Sequence, residues 1–471
     1  MGTFVLDTPF GFGLDLTFWS EIFSLPTAQL IEALFAIIGW VVLALLFFFM
    51  GSVLLANFRT MRYTKKWKWV LLAVDIPPLF IQTPKAVEQI FAHLSGAQIG
   101  PNVGQKYWMG KKQKFFSFEI ISIEGYIQFL IRTEDEFRDL VEAAVYAQYP
   151  EAEITEVEDY VDNIPSRYPD ADYNVFGIEF KLAEADAYPI RTYPSFEYSL
   201  SKDVVFSDPM AALLENFSRI GHGENLWYQI IVEPTGNSWK EKGIDLVKKI
   251  IANKKVSKSS FLGGLFSDLV IGLAHELSRI WNWNFEPTEK AAEAPPGKMT
   301  DLSPGMKNTV EAIEEKISKL GFKTKIRILY AGRKDVFNPA RSVDGFVGSM
   351  NQFHIIGRNA IVPYKATLAH YAFKDFLVGL MKVKFVGAFK KRKIKTGMTP
   401  YILNIEELAT IWHFPLPFVK TPLMQKAGVK RAEPPMGLPI ESFEGPLRKV
   451  LSQHVEEKEE EAPPPPPPQY G

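Results

Sequence analysis

From Ala33 to Phe58 the chain carries no charged side chain. As a helix this stretch is roughly 39 Å long, against a bilayer hydrocarbon core of about 30 Å. More than half of it is Leu, Ile, Val or Phe, each of which favours insertion. A core helix of this length would keep a polar face, and a signal peptide would need a basic leader and a shorter apolar run. Residues 1–58 contain no Lys or Arg at all. The reading is one transmembrane helix over 30–58, preceded by a short extracytoplasmic segment, 1–29. Arg59, Arg62, Lys65, Lys66 and Lys68 follow the span, whereas Asp7, Asp15, Glu21 and Glu32 precede it. By the positive-inside rule these basic residues sit at the inner membrane interface, with the N-terminus outside and the bulk of the chain in the cytoplasm. Phe18, Trp19 and Phe23 suit an aromatic anchor at the outer interface.

The soluble remainder reads as α+β. Trp67–Ile76 is an apolar, strand-forming run. A helix follows from Thr83 and Pro84, with Val87, Ile90, Phe91 and Leu94 on one face. Phe115–Ile123 and Tyr126–Ile131 form a hairpin around Glu124-Gly125. Thr133-Glu-Asp-Glu136 has the form of a capping box opening a helix with Phe137, Leu140, Val141, Ala144 and Val145 inward. Ala152–Val157 closes the unit. The order β-α-β-β-α-β is the ferredoxin-like, split βαβ arrangement, over 65–165. The pattern recurs over 173–360: strand Val175–Leu182, helix Pro209–Ile220, strand Leu226–Val232, helix Trp239–Ile251, an insertion over 253–305, helix Val310–Leu320, strand Lys323–Tyr330, helix Ala340–Phe353 and a short strand His354–Ile356. The insertion carries an amphipathic pattern from Leu262 to Ile280, which fits a membrane interface or, alternatively, a face packed on its own domain or on a partner. Segment 361–440 holds basic and docking elements. Segment 441–471, with an acidic run and six consecutive prolines, is expected to be disordered.

The chain has no cysteine, which excludes disulfides, thiolate-bound metal and thiol catalysis. The net charge of −1 gives no field over the whole chain, so electrostatic function must come from local clusters. Gly104-Gln-Lys-Tyr-Trp-Met-Gly110-Lys111-Lys112 approaches a phosphate loop. It has one residue too many between its glycines, and Lys112 stands where a Mg²⁺-binding hydroxyl is required. Its Tyr107-Trp108 pair suits a strand better than a phosphate cradle. His275-Glu276 begins a zinc-protease motif, but Arg279 replaces the second histidine. The expectation is therefore no catalytic residue, no cofactor and no metal. One cluster stands out: Lys382, Lys384, Lys390, Lys391, Arg392, Lys393 and Lys395, with no acidic residue between Phe376 and Asn404. It fits nucleic-acid phosphates, an anionic leaflet or a solvated face.

Several segments together resemble the membrane-anchored N-terminal region of bacterial conjugation and type IV secretion coupling ATPases, of the HerA/FtsK superfamily. They are Phe116-Ser-Phe-Glu-Ile120 with Glu124-Gly125, Ala144-Val-Tyr-Ala-Gln-Tyr-Pro150, Val157-Glu-Asp-Tyr160, Leu226-Trp-Tyr-Gln-Ile230 with Glu233-Pro234, and Leu403-Asn-Ile-Glu-Glu-Leu-Ala-Thr-Ile-Trp-His-Phe-Pro415 followed by Thr421-Pro422 and Pro434-Pro435. In that family a motor domain with a Walker loop follows the equivalent of Leu438-Pro439, and here no such loop does. The resemblance thus implies the anchor half alone: a single-pass protein of the bacterial inner membrane that recruits or orients a separate cytoplasmic ATPase. A self-assembling envelope scaffold and a nucleic-acid-binding membrane module are the rival readings. The expected partners are the bilayer and an ATPase subunit, with a homo-oligomer or nucleic acid left open. Glu406, Glu407, Leu408, Ile411 and Trp412, on a short helix capped by Asn404, are the candidate docking residues, or else pack back on the second unit.

Overall fold

The computed structural model describes residues 5–7, 13–15, 26–77, 82–98, 100–200, 203–252, 302–367 and 374–416. The N-terminal strands β1 (Val5–Asp7) and β2 (Gly13–Asp15) pair as a small antiparallel ladder. Helix α1, Thr27–Thr64, is 38 residues long, or roughly 57 Å. An 18-residue window of its stretch Val42–Thr64 has a mean hydropathy of 1.9, and none of that window is buried by the rest of the protein. Among the described residues this is the one helix with the length and composition to cross a bilayer. Phe48, 77% exposed, and Trp40, 72% exposed, show how much apolar surface it would leave in water.

The body follows directly: β3 (Trp69–Asp75), α2 (Pro84–Leu94), α3 (Val103–Trp108), β4 (Phe116–Ile123), β5 (Tyr126–Glu134), α4 (Arg138–Gln148) and β6 (Glu153–Glu156). The sheet order here is β4-β5-β3-β6, every neighbour antiparallel. Glu124 and Gly125 both take positive φ, 53° and 93°, as a two-residue hairpin turn twisted to match its strands requires. Thr133 does not cap a helix. It lies in β5, and Glu136 turns back to pair with Lys114 while α4 starts later, at Arg138.

The second half comprises β7 (Tyr173–Leu182), β8 (Glu197–Leu200), β9 (Asp203–Phe206), α5 (Met210–Ser218), β10 (Glu224–Pro234), α6 (Ser238–Ile251), α7 (Pro304–Ser318), β11 (Gly321–Arg333), α8 (Gly345–Met350) and β12 (Ile361–Ala366). The β8–β9 hairpin has no counterpart in the sequence reading. The fourth strand of this half is β12, not His354–Ile356, which is a turn. β12 is the stretch that pairs with β7. The order is β12-β7-β11-β10, so both halves place their strands fourth-first-third-second. They join edge to edge through β10 and β4, antiparallel, into one sheet of nine strands. The ninth is β13 (Tyr401–Asn404), which pairs with β11 beside β7. The insertion from 253 to 301, the tail beyond 416 and the outer aromatic residues lie outside the described residues.

Strand alternation sorts the core onto two faces. On one face Phe118, Phe129 and Tyr228 meet α2, α4, α5 and α8, with Phe346 of α8 against Tyr228. On the other, Trp227, Leu329 and Leu130 meet Tyr160, Val161 and the helix α9 (Lys374–Lys390) through Val386 and Phe389. Strand register also gives the sheet a direction. β3 starts at Trp69 beside the end of α1, and its far residue Asp75 pairs with Glu153. Trp69, Phe116 and Glu134 therefore lie at the α1 end of the first half, and the β4–β5 turn at the opposite end.

Candidate functional site

The basic run after α9 separates into two populations. α9 ends in a Schellman motif: Arg392 N–H donates to the Phe389 carbonyl (2.9 Å) and Lys393 N–H to the Ala388 carbonyl (2.9 Å). Arg392 holds the left-handed position, φ 45°, where glycine is usual and another residue costs about 1–2 kcal/mol. That turn aims the guanidinium into the sheet. It makes a two-pronged contact with Glu119, Nε to Oε1 and Nη2 to Oε2, both 3.0 Å, and both its terminal nitrogens reach Asp159. Glu119 also accepts from Ser117 Oγ (2.6 Å), Tyr160 OH (2.8 Å) and Gln229 Nε2 (3.0 Å). Burial alone would raise the Glu119 carboxyl, but the charge of Arg392 and these hydrogen bonds hold it below the usual carboxylate value. Burial likewise works against the Arg392 cation, and Glu119 more than restores it. Arg392 is thus an internal ion-pair partner and no part of a surface patch.

Lys382 and Lys390 are also turned inward. Lys382 donates to Asn174 Oδ1 (2.6 Å), and Lys390 to the Ile164 carbonyl (2.6 Å) and Ser166 Oγ (2.8 Å). Partial burial lowers both ammonium groups, with Asp162 and Asp159 opposing at Lys390. Lys384, Lys391, Lys393 and Lys395 remain exposed. The last three, with Lys112, line a cavity of about 260 Å³ whose other walls include Thr64, Trp67 and Trp69, the end of α1 and the first strand after it. Trp67 and Trp69 stand edge to face at 5.6 Å, and Phe115 packs 4.8 Å from Trp69. Burial lowers the Lys112 ammonium; Glu233 opposes this and the charge of Lys395 adds to it. Lys391, Lys393 and Lys395 therefore face the foot of the long apolar helix, where Arg62, Lys65, Lys66 and Lys68 are exposed as well and Arg59 is half-buried. Such a pocket, cationic with aromatic walls, has the chemistry to hold an anionic headgroup.

The docking segment lies elsewhere. α10, Ile405–Ile411, has the expected Asn404 cap, with a reciprocal capping box to Glu407. Every residue of this helix is buried. Leu408, Ile411 and Trp412 are fully enclosed. The Trp412 ring meets Phe118 edge to face at 4.8 Å and Phe129 at 5.8 Å, and the helix packs chiefly on α2 of the first half. Glu407 pairs with Lys316 at 3.0 Å, both fully buried, and accepts from Ile190 N–H (3.0 Å); Glu406 pairs with Lys319. Glu406, Glu407, Leu408, Ile411 and Trp412 are therefore unavailable to a partner: the segment is core, shared between the halves.

The phosphate-loop look-alike is no strand and no cradle. Val103–Trp108 form α3, capped by the Asn102 side chain, which accepts from Gln105 N–H at 2.9 Å. Sequence reasoning missed a buried pair, His413 Nε2 to Asp208 Oδ1 at 3.0 Å, which ties α5 to the exit of α10. Asp208 also accepts from Met210 N–H (2.7 Å) and Leu416 N–H (2.9 Å). Burial would raise the Asp208 carboxyl, yet His413 and these donors hold it below its ordinary value. Asp208 and His413 stand so far apart in the chain that no local pattern signals their pairing. Among the described residues no three His, Cys, Asp or Glu side chains gather as a metal set.

Fold and surface together define an α+β body with a basic, aromatic base set beside one long apolar helix. Over residues 102–354, more than half its length, the chain matches the family described as domain of unknown function DUF8128, and it belongs to that family. The matched region spans both halves of the sheet and excludes α1, β3 and α9. No curated protein matches the chain.

Proposed function

We propose that this protein is a non-enzymatic, single-pass platform of the bacterial inner membrane that orients a separate cytoplasmic ATPase of a type IV secretion or DNA-transfer machine. The observation that supports it most is that α1 ends at Thr64, a short turn before β3, beside the cationic base of the body. A tether alone would let the body swing; a tether plus a charged base holds it at a set orientation, which is what a platform needs. The repeated strand order supports reading each half as a ferredoxin-like unit. The resemblance to coupling-ATPase anchor regions supplies the class of partner. With α10 in the core, that partner is met by another surface. Purification of the full chain from membranes in mild detergent, with mass spectrometry of what accompanies it, tests the reading. A Walker-loop ATPase without a membrane helix is expected. Recovery of the chain only with copies of itself would favour the envelope scaffold, and recovery with nucleic acid the DNA-binding module.

A further inference from the structure

Tyr107, Trp108 and Met109 are bare: 47%, 76% and 59% exposed, three large apolar side chains in succession at the end of α3. Lys106 precedes them and Lys111 and Lys112 follow. In water such a patch is costly, and nothing in the phosphate-loop reading requires it. Its seat explains where it belongs. The Arg59 guanidinium lies 4.7 Å from the centre of the Trp108 ring and donates to the Tyr107 carbonyl at 3.1 Å. Gly110, φ 69°, brings the loop so near α1 that a Cβ there would stand 2.5 Å from the Arg59 carbonyl carbon. The loop is therefore clamped on α1 at Arg59 and Thr60, and Arg59 is the first charge after the apolar stretch. If α1 spans the bilayer, Arg59 marks the level at which hydrocarbon gives way to headgroups. Trp108, stacked on it, shares that level.

We infer that Tyr107-Trp108-Met109 forms a second membrane contact, inserted into the headgroup–acyl boundary beside α1, with Lys106, Lys111 and Lys112 on the phosphates of anionic lipids. Aromatic rings with a polar edge favour this zone, and flanking lysines reach the phosphate layer with their apolar stems in the boundary. Two contacts, one spanning and one dipping, stop the body from pivoting about α1. The inference rests on the membrane-spanning reading of that helix.

The absence of native cysteine makes the test direct. Met109→Cys and, independently, Tyr107→Cys are spin-labelled in the full chain and reconstituted in vesicles of phosphatidylcholine and phosphatidylglycerol. Ser52→Cys, within the span, and Glu151→Cys, near the end of β3 far from α1, serve as references. Collision with oxygen and with a water-soluble nickel chelate reports depth. The labels at 107 and 109 should lie about 5–10 Å below the phosphates, as for interfacial helices, with Ser52 deeper and Glu151 in water. Labels at 107 and 109 as open to the chelate as that at 151, with Ser52 deep, would overturn the inference and leave the span intact. A chelate-accessible label at Ser52 would instead remove the span, and the inference with it.

Discussion

Arg392 is fully buried on Glu119 and Asp159, whereas Lys391 and Lys393, its neighbours in the chain, are exposed on the cavity at the foot of α1. Three consecutive basic residues thus serve opposite ends. The turn that ends α9 sends one side chain into the sheet and two outward, and the inward one is held by acids distant in sequence. What differs is the supply of counter-charge. Arg392 meets two carboxylates, one of them fully buried; among the described residues Lys391, Lys393 and Lys395 form no ion pair, and Lys112 meets a carboxylate, that of Glu233, only through its charge. A charge cluster read from composition therefore mixes residues that hold the fold together with residues left on the surface.

Removing Arg392 should have the greatest effect. Arg392→Ala strands Glu119 in the core, and the loss of one partner of a buried pair costs about 3–5 kcal/mol. The detergent-solubilised variant should melt many degrees lower or fail to fold. Arg392→Lys should recover little, because an ammonium cannot make the two-pronged contact with Glu119. A variant as stable as the wild type would show Arg392 to be a surface residue after all. Trp412→Ala should act on a similar scale, about 3–5 kcal/mol, because a fully enclosed indole leaves a cavity among Phe118, Phe129 and Phe414. Retained stability together with loss of a co-purifying protein would return α10 to docking.

Acid should act next in size. Glu119 and Asp208 have folded values below their ordinary 4.5 and 3.8, so each stabilises the fold above those values. Their contribution is lost as pH falls from those ordinary values through the lower folded ones. Chemical denaturation should show stability declining steeply below about pH 4.5. Arg392→Ala should flatten the part of that slope due to Glu119, and an unchanged slope would mean that Glu119 is not held by Arg392.

The lysines should give the smallest change in stability and the clearest change in lipid response. Lys391→Glu, Lys393→Glu and Lys395→Glu should each alter stability by no more than about 0.5 kcal/mol, as surface changes do. Phosphatidylglycerol added to the solubilised wild type should raise its melting temperature through binding. The triple variant should lose most of that rise, at about 1 kcal/mol per charge. An equal rise in both would return these lysines to solvent.

How far the sequence carries can be seen in the same places. The apolar span, the β-α-β-β-α-β order of the first half, the Glu124-Gly125 turn and the Asn404 cap are local patterns that are legible; the Thr133–Glu136 pattern is equally local yet misleads, because pairing with β3 carries β5 through Thr133 to Glu134. The edge-to-edge pairing of β10 with β4 is not local, so the fusion of the halves into one sheet has no signal in the chain. His354–Ile356 reads as a strand because it is short and apolar, but the pairing partner β7 selects Ile361–Ala366. The α10 stripe is visible, yet a stripe does not say whether its cover is another chain or Phe118 and Phe129. At the candidate site the exposed lysines are legible as charge, while their meeting with Lys112 and Trp67 depends on a fold that brings distant parts of the chain together.

Everything said of the membrane depends on α1 crossing it with the body on its basic side. Asp15→Cys and Lys384→Cys, each in the otherwise cysteine-free chain, can be probed in intact spheroplasts with a maleimide that does not cross membranes. Asp15→Cys should label at once, and Lys384→Cys only after permeabilisation. Labelling of Lys384→Cys from outside intact spheroplasts would contradict that arrangement.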